Sequence, residues 1–317
     1  MRASGSACSS PRRAEQVRIV VTGRQGQVVR SLADRTADTD IEIVPLGRPE
    51  LDLAGTSGEI VATITDAKPD IVVSAAAYTQ VDRAETDREL AFLVNEEGAR
   101  SVARAAREAG APLIHLSTDY VFDGAKPTPY VEDDPTEPTG IYGASKRAGE
   151  RAVLAEHRDS VVLRISWIYS PFGTNFVKTM LRLAGDRDEI AVVADQRGNP
   201  SSAFDIADGI IAVARNLASS SHSEHRGIFH MAGAGEATWA DFAEGIFAAS
   251  KARGGPTAKV RRIATADYPT AARRPANSRL DWGKLARIHG VQLPDWRSSV
   301  GPIVGKLLQP VRDGGNN

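Results

Sequence analysis

From Val17 onward, short β-branched runs alternate with longer stretches whose apolar positions recur every three to four residues. A strand inside a parallel sheet is apolar on both faces, and the helix that covers it is apolar on one stripe. The alternation therefore predicts an α/β fold built on a doubly wound parallel sheet. Strands are expected at 17–21, 41–44, 71–74, 113–116 and 161–165, three of them continuously apolar. Helices are expected at 27–33, 58–66, 88–108 and 144–156, the third preceded by Thr86 as a capping residue. After Ile165 the rhythm loosens into Pro/Gly-rich connections, with helices expected at 175–184, 204–217 and 238–250. The chain thus divides into a tail at 1–16, a Rossmann-type domain at 17–170 and a smaller C-terminal lobe, mainly 171–317, with some segments returning to the first domain.

Composition narrows the classes. The 317 residues carry 39 Lys+Arg against 40 Asp+Glu, a formal charge of -1, which gives no basic surface for nucleic acid. With 42% hydrophobic residues a packed core is expected, and one core stops growing at about 250–300 residues, so two lobes are anticipated. The single cysteine, Cys8, leaves no disulfide framework and no cysteine-based zinc cage, which suits a reducing, cytoplasmic compartment. No apolar run reaches membrane-helix length, and the first sixteen residues lack the apolar stretch of a signal peptide. His222 and His225 flank Glu224 in a Ser-rich stretch that reads as a solvated linker rather than a metal site.

The first chemical signal follows the first strand, where V-T-G-R-Q-G-Q-V-V puts Gly23 and Gly26 before a helix. Such glycines let the backbone approach a pyrophosphate at the helix's positive end. Val29 stands where a third glycine would be, so the turn alone fits either a cofactor site or a plain βα turn. After the second strand, Gly47 and Arg48 replace the acidic residue that would hold a ribose 2′-hydroxyl. A guanidinium suits a 2′-phosphate, so NADPH is expected in preference to NADH, unless Arg48 is merely a surface arginine. Asp52 could meet the adenine amino group or cap a helix. The small residues of S-A-A-A-Y-T, Ser74 through Thr79, leave room for a cofactor across the strand ends, or serve close sheet-to-helix packing.

The sharpest constellation is L-S-T-D-Y-V-F-D-G from Leu116, followed by Y-G-A-S-K with Tyr142 four residues before Lys146. On a helix that spacing puts both side chains on one face. An ammonium beside a phenol favours the phenolate, so Tyr142 could protonate an alkoxide as it forms, with Thr118 holding the same oxygen. His115 reads as buried packing rather than a base.

These segments together resemble the extended short-chain dehydrogenase/reductase family and, within it, the dTDP-4-dehydrorhamnose reductases. The resemblance runs from about Val17 to Trp296 and includes A-A-A-Y-T-Q-V-D-R-A-E from Ala75, R-I-S-W-I-Y, N-F-V-K-T-M-L-R-L-A from Asn175, D-Q-R-G-N-P from Asp195 and R-R-P-A-N-S-R-L from Arg273. It implies NADPH-dependent reduction of the 4-keto group of dTDP-4-dehydro-L-rhamnose to dTDP-L-rhamnose, feeding polysaccharide synthesis. It also implies Thr118, Tyr142 and Lys146 as the catalytic set. Cofactor contacts would come from Gly26, Gln27, Val28, Asp52, Leu53, Ala76, Ala77 and Tyr78, and Lys146 would reach the nicotinamide ribose. Substrate contacts would come from Thr118, Asp119 and Trp167, the last either a flat wall for a deoxysugar or core. The cluster of Arg273, Arg274, Asn277, Ser278 and Arg279 offers donors for a diphosphate, or a helix start capped by Asn277 or Ser278. Some members of the family hold magnesium with two glutamates where this chain has Ser31 and Phe204, so no metal is expected. The expected partner is a dTDP-sugar, with no nucleic acid and no membrane, and the assembly a monomer or homodimer. An epimerase or dehydratase would share the Tyr/Lys pair, but Tyr120 stands where a dehydratase needs Glu; a non-catalytic NADP-binding regulatory subunit is weakened by the complete Thr/Tyr/Lys set.

Overall fold

The computed structural model describes residues 16–309; Cys8 and the expected tail lie outside them, apart from Gln16. Six parallel strands form the central sheet: β1 (Val17–Thr22), β2 (Ile41–Leu46), β3 (Ile71–Ser74), β4 (Leu113–Thr118), β5 (Ser160–Ile165) and β6 (Gly227–His230), in the order β2-β1-β3-β4-β5-β6. The five expected strands are all present. Every residue of β3, β4 and β5 is buried, as strands covered on both faces should be. Leaving β1, the chain goes first to β2 on one side and then crosses to β3 on the other. The crevice beyond the carboxyl ends of β1 and β3 is therefore the switch point at which open α/β sheets take ligands.

One face of the sheet buries Ile19, Val21, Ile71, Ile114 and Leu163 under α1 (Gln27–Thr36), and the other buries Val20, Val72, Leu113 and Val162 under α2 (Ser57–Asp66). Thr56 caps α2 reciprocally with Glu59. The expected helix at 88–108 is not continuous. It runs as α3 through Arg88–Phe92, widens into a π-helical turn at Leu93–Gly98 and resumes at Ala99–Ala109. Thr86 does not cap it: its hydroxyl donates to Arg83 O, and Asp87 occupies the cap position. The next helix, α4 (Ile141–Glu156), starts three residues before the expected 144, which places Tyr142 in its first turn.

Beyond β5 the chain builds a second core from Tyr169, Val177, Ile190, Phe242, Trp296 and Ile303. It includes α5 (Phe176–Ala184), capped by Asn175, and α7 (Trp239–Lys251), capped by Thr238. Between them, α6 (Ala203–Ser219) packs Ile206, Ile210 and Val213 into the sheet's core beside α1, and β6 then joins the sheet edge. The sixth strand is four residues long with two half-buried, too short a run to announce itself in the pattern.

Val29 is buried and its Cγ2 lies 3.5 Å from where a Gly23 Cβ would stand, so the valine fills the space between turn and helix. Ser31 is fully buried on α1, and the ring of Phe204 lies under Lys306 Nζ at 4.5 Å and Arg35 Cζ at 5.8 Å. A hydroxyl, a phenyl ring and two cations do not fit a divalent metal at these positions.

Candidate active site

The glycine turn lies between β1 and α1. Gly23 has φ +100°, a backbone state that strains any residue with a Cβ, and its N–H donates to Leu46 O at 2.5 Å. Gly26 is the N-cap of α1 and supplies no side-chain cap; the first intrahelical bond runs from Arg30 N to Gly26 O at 3.1 Å. The N–H groups of Gln27, Val28 and Val29 thus lack intrahelical partners, at the positive end of a ten-residue helix. That arrangement fits a pyrophosphate. The Val28 side chain is buried, and Gln27 Oε1 accepts from Ser170 Oγ (2.8 Å) and Asn175 Nδ2 (3.0 Å), which fixes its amide at the helix start.

Arg48 lies exposed just beyond β2. Beside it Arg24, which the sequence reading passed over, pairs with Glu50 at 2.7 Å, and a Cβ on Gly47 would stand 3.1 Å from the Arg24 stem. Arg24 and Arg48 thus lie on either side of Gly47, the position that an acidic residue would occupy in an NADH enzyme, by space and by sequence respectively. Asp52 Oδ1 accepts from Ala54 N (3.0 Å) in a local turn, and Leu53 is buried in the core under α2 and α3. Asp52 is exposed and its Oδ2 is open to a ligand, while Leu53 has only its backbone to offer.

The loop after β3 is held from both sides. Thr22 Oγ1 accepts from the N–H groups of Ala75 (3.0 Å) and Ala76 (2.9 Å), and Asn95 Oδ1 accepts from Tyr78 N (2.8 Å). Asn95 Nδ2 donates in turn to Tyr78 O (3.1 Å) and Ser145 Oγ (2.9 Å). Asn95 sits in the π-helical turn, so this widening aims one amide at both the small-residue loop and the catalytic helix. A regular helical pattern hides such a turn, which is why it was missed.

At the end of β4, Thr118 is buried; its hydroxyl donates to Asp119 Oδ1 at 3.1 Å and accepts from Tyr120 N at 3.2 Å. It lies near enough to the Tyr142 phenol to oppose the effect of that phenol's burial. The Tyr142 ring meets Tyr120 edge-on, centroids 5.6 Å apart. The glycine in Y-G-A-S-K is there because a Cβ on Gly143 would lie 2.1 Å from Tyr120 O, so α4 seats directly on the β4 turn. Lys146 is buried and donates to Leu116 O at 2.7 Å. Thr118, Tyr142 and Lys146 are thus brought together. The expected depression of the phenol by Lys146 is not what these groups produce: burial raises Tyr142 above its ordinary value, with Thr118 opposing. Burial lowers Lys146 to about 8, opposed by Glu150, and raises Asp119 to about 6, opposed by Ser278 and Thr118.

Asp119 is 4% exposed and its Oδ2 has no partner within the protein. Trp167 has φ +44°, a strained state for a residue with a Cβ, worth about 1–3 kcal/mol. It is held by a parallel stack on Trp239 at 3.5 Å and by Trp167 O accepting from Ser201 N at 3.0 Å. A side chain at Gly198, in the D-Q-R-G-N-P segment, would stand 2.4 Å from its ring. Trp239 was not foreseen; nothing in a lone tryptophan at a helix start announces a distant stacking partner.

The arginine loop divides in two. Arg273 and Arg274 line a cavity of about 480 Å³ with Asp123, Asp195, Thr265 and Tyr268. Arg274 pairs with Asp82 at 2.5 Å, but its Nη1 is buried without a partner. Asn277 and Arg279, by contrast, are already engaged. The Asn277 amide donates to Lys126 O (2.7 Å) and Thr128 O (2.8 Å) and accepts from Arg279; Arg279 pairs with Glu236 (2.6 Å) and donates to Pro127 O (2.5 Å). Both side chains therefore pin the loop. Asn277 and Ser278 cap no helix, since the next one, α8 (Gly283–His289), begins after Trp282.

Known proteins resemble this chain over nearly its whole length. A dTDP-4-dehydrorhamnose reductase of Sinorhizobium fredii is 50% identical over 94% of this chain and the whole of that protein. One from Burkholderia thailandensis is 44% identical over 92% of this chain and 99% of its own length. The crystal structure of a Bacillus anthracis dTDP-4-dehydrorhamnose reductase in complex with NADP superposes with a TM-score of 0.84 at 34% identity, covering 92% of this chain and 99% of that one. The family described as the RmlD substrate binding domain matches residues 17–309, from the first strand to the end of the last described helix, and the chain belongs to it.

Proposed function

We propose that this protein reduces the 4-keto group of dTDP-4-dehydro-L-rhamnose with NADPH, giving dTDP-L-rhamnose. The single observation that carries the reading is the Thr118/Tyr142/Lys146 set, Thr118 and Lys146 buried and Tyr142 half-buried, on the switch-point side of a sheet whose first helix offers free N–H groups. The dihydronicotinamide, when bound, supplies a hydride to the keto carbon. The π electrons of the carbonyl move to its oxygen, which takes the Tyr142 proton. A phenol kept neutral by burial is ready to give that proton, because an alkoxide is a much stronger base than a phenolate. The Thr118 hydroxyl can turn from Asp119 to donate to the same oxygen. Lys146 keeps a positive charge where negative charge grows, and Asp119 Oδ2 is the acceptor for a sugar hydroxyl. Trp167 supplies the flat wall, and Arg273 with Arg274 meets the diphosphate. No helix among the described residues is long and apolar enough to cross a membrane, and we place the enzyme in the cytoplasm, where its nucleotide substrates are.

The test is loss of nicotinamide absorbance with dTDP-4-dehydro-L-rhamnose and related 4-keto sugar nucleotides, using NADPH and NADH. Net consumption is expected; an epimerase or dehydratase, which recycles its cofactor, would show none. Arg48→Ala is expected to cut the NADPH-over-NADH preference in kcat/KM about tenfold, the loss of one charge-assisted contact. An unchanged ratio would remove Arg48 from the 2′-phosphate site.

The pH dependence follows from two signs. Lys146 acts as the ammonium, present below its pKa, so kcat/KM should fall as pH rises through about 8. Asp119 accepts as the carboxylate, present above its pKa, so the rate should also fall as pH drops through about 6. A bell with these limbs is expected, and Lys146→Arg should abolish the alkaline one at a reduced rate.

A further inference from the structure

A buried ammonium has three protons, and each needs an acceptor. Lys146 gives one to Leu116 O at 2.7 Å, and its Nζ lies 3.4 Å from His115 Nε2. Among the described residues these are the groups within hydrogen-bonding distance of it. An ammonium has no lone pair, so Nε2 must be the bare nitrogen and the ring proton must sit on Nδ1. Nδ1 is 3.0 Å from Ser74 Oγ, which accepts it. Burial and the Lys146 charge both hold this imidazole well below its usual value, so it stays neutral. Ser74, His115 and Lys146 therefore form a buried row from the end of β3 across β4 to α4, directly beneath the small-residue loop. Burial requires both ring nitrogens to be matched, and here one of the two partners is the Lys146 ammonium.

We propose that His115, held in one tautomer by the Lys146 ammonium with Ser74 Oγ taking its Nδ1 proton, is a positioning residue for the reduction: with the Leu116 carbonyl it fixes the Lys146 ammonium and leaves one N–H for the crevice. The proposal rests on the reductase reading of the site. The other titratable and charged groups around Lys146 are Tyr142 and Glu150 on its own helix, Asp119 and Tyr120 from the turn after β4, and Arg164 on β5, whose charge is matched by Glu150. Accepting a hydrogen bond from the ammonium favours the charged form, so loss of His115 must make Lys146 release its proton at lower pH.

The experiment compares His115→Leu with His115→Gln, whose amide oxygen can stand where Nε2 stood. In the full-length enzyme with NADPH, His115→Leu is expected to lower kcat about tenfold and to move the alkaline limb of kcat down by about one pH unit, with NADPH affinity little changed. His115→Gln should restore most of both. Equal losses in the two variants with an unmoved limb would overturn the proposal. Should His115→Leu fail to fold, Ser74→Ala carries the test: leaving the His115 Nδ1 proton without its acceptor should cost about threefold in kcat and shift the limb the same way, and an unmoved limb overturns it. The ammonium can also be followed without any sugar, by 13C NMR titration of lysine-labelled, NADP-loaded protein, the Lys146 signal identified with Lys146→Arg. A lower titration in His115→Leu than in the parent supports the proposal and an identical one refutes it. If the parent reduces no 4-keto sugar yet Lys146 titrates as described, the substrate reading fails and the positioning role stands.

Discussion

Tyr142→Phe should leave a folded protein that still binds NADPH and should lower kcat by about 10²–10⁴-fold, the usual cost of removing a general acid. The variant keeps the ring and its edge contact with Tyr120, and α4 still begins at Ile141 against the Tyr120 carbonyl, so the helix has no reason to move. What disappears is the proton and the hydroxyl that lies beside Thr118. Because Thr118 and Tyr142 act on one oxygen, their losses should not add: Thr118→Val in the Tyr142→Phe background should cost less than it does alone. Steady-state kinetics for both single variants and the pair, with cofactor binding followed by fluorescence, would measure this. Full activity in Tyr142→Phe would end the assignment of Tyr142 as the acid.

The Tyr/Lys pair was legible in the sequence because its function depends on local spacing: four residues on one helix share a face whatever the rest of the chain does. The strands were legible for a similar reason, since burial on both faces writes itself as an uninterrupted apolar run. Hydrogen-bond partners from distant segments leave no such trace. Asn277 and Arg279 have the donors a diphosphate needs, yet Lys126 O, Thr128 O, Pro127 O and Glu236 take them, and carbonyls 149 to 152 residues away cannot be foreseen from side-chain type. The same holds in reverse for His115. Its place in an apolar strand suggested packing, and only the fold shows that the strand passes beneath Lys146. The π-helical turn at Leu93–Gly98 is a third case, because its extra residue breaks the helical period without any Gly/Pro interruption at Asn95 itself.

The largest stability effect is expected one turn beyond Lys146, where Glu150 and Arg164, each with a side chain 3% exposed, form a two-pronged pair: Arg164 Nε donates to Oε1 at 2.9 Å and Nη2 to Oε2 at 2.8 Å. Ser117 Oγ donates to the same Oε1 at 2.5 Å, and the guanidinium lies over the Phe122 ring at 5.0 Å. One carboxylate thereby joins α4 and β4, which carry the reacting groups, to β5. Glu150→Leu removes the anion and leaves Arg164 charged and enclosed, a loss of about 3–5 kcal/mol, or roughly 5–8 °C in Tm for a chain of this size. The cost comes chiefly from the abandoned charge and much less from the pair's own attraction, since burial weakens both ions' hydration before they meet. Adding Arg164→Met to Glu150→Leu should therefore restore most of the lost stability, by thermal unfolding of both variants side by side. If the double variant were as unstable as the single one, the ion pair itself would be the principal support of the β4–α4 junction. Activity separates the two contributions further. Glu150 is the group that favours the Lys146 ammonium against its burial, so the stable double variant should still show its alkaline limb at lower pH than the parent.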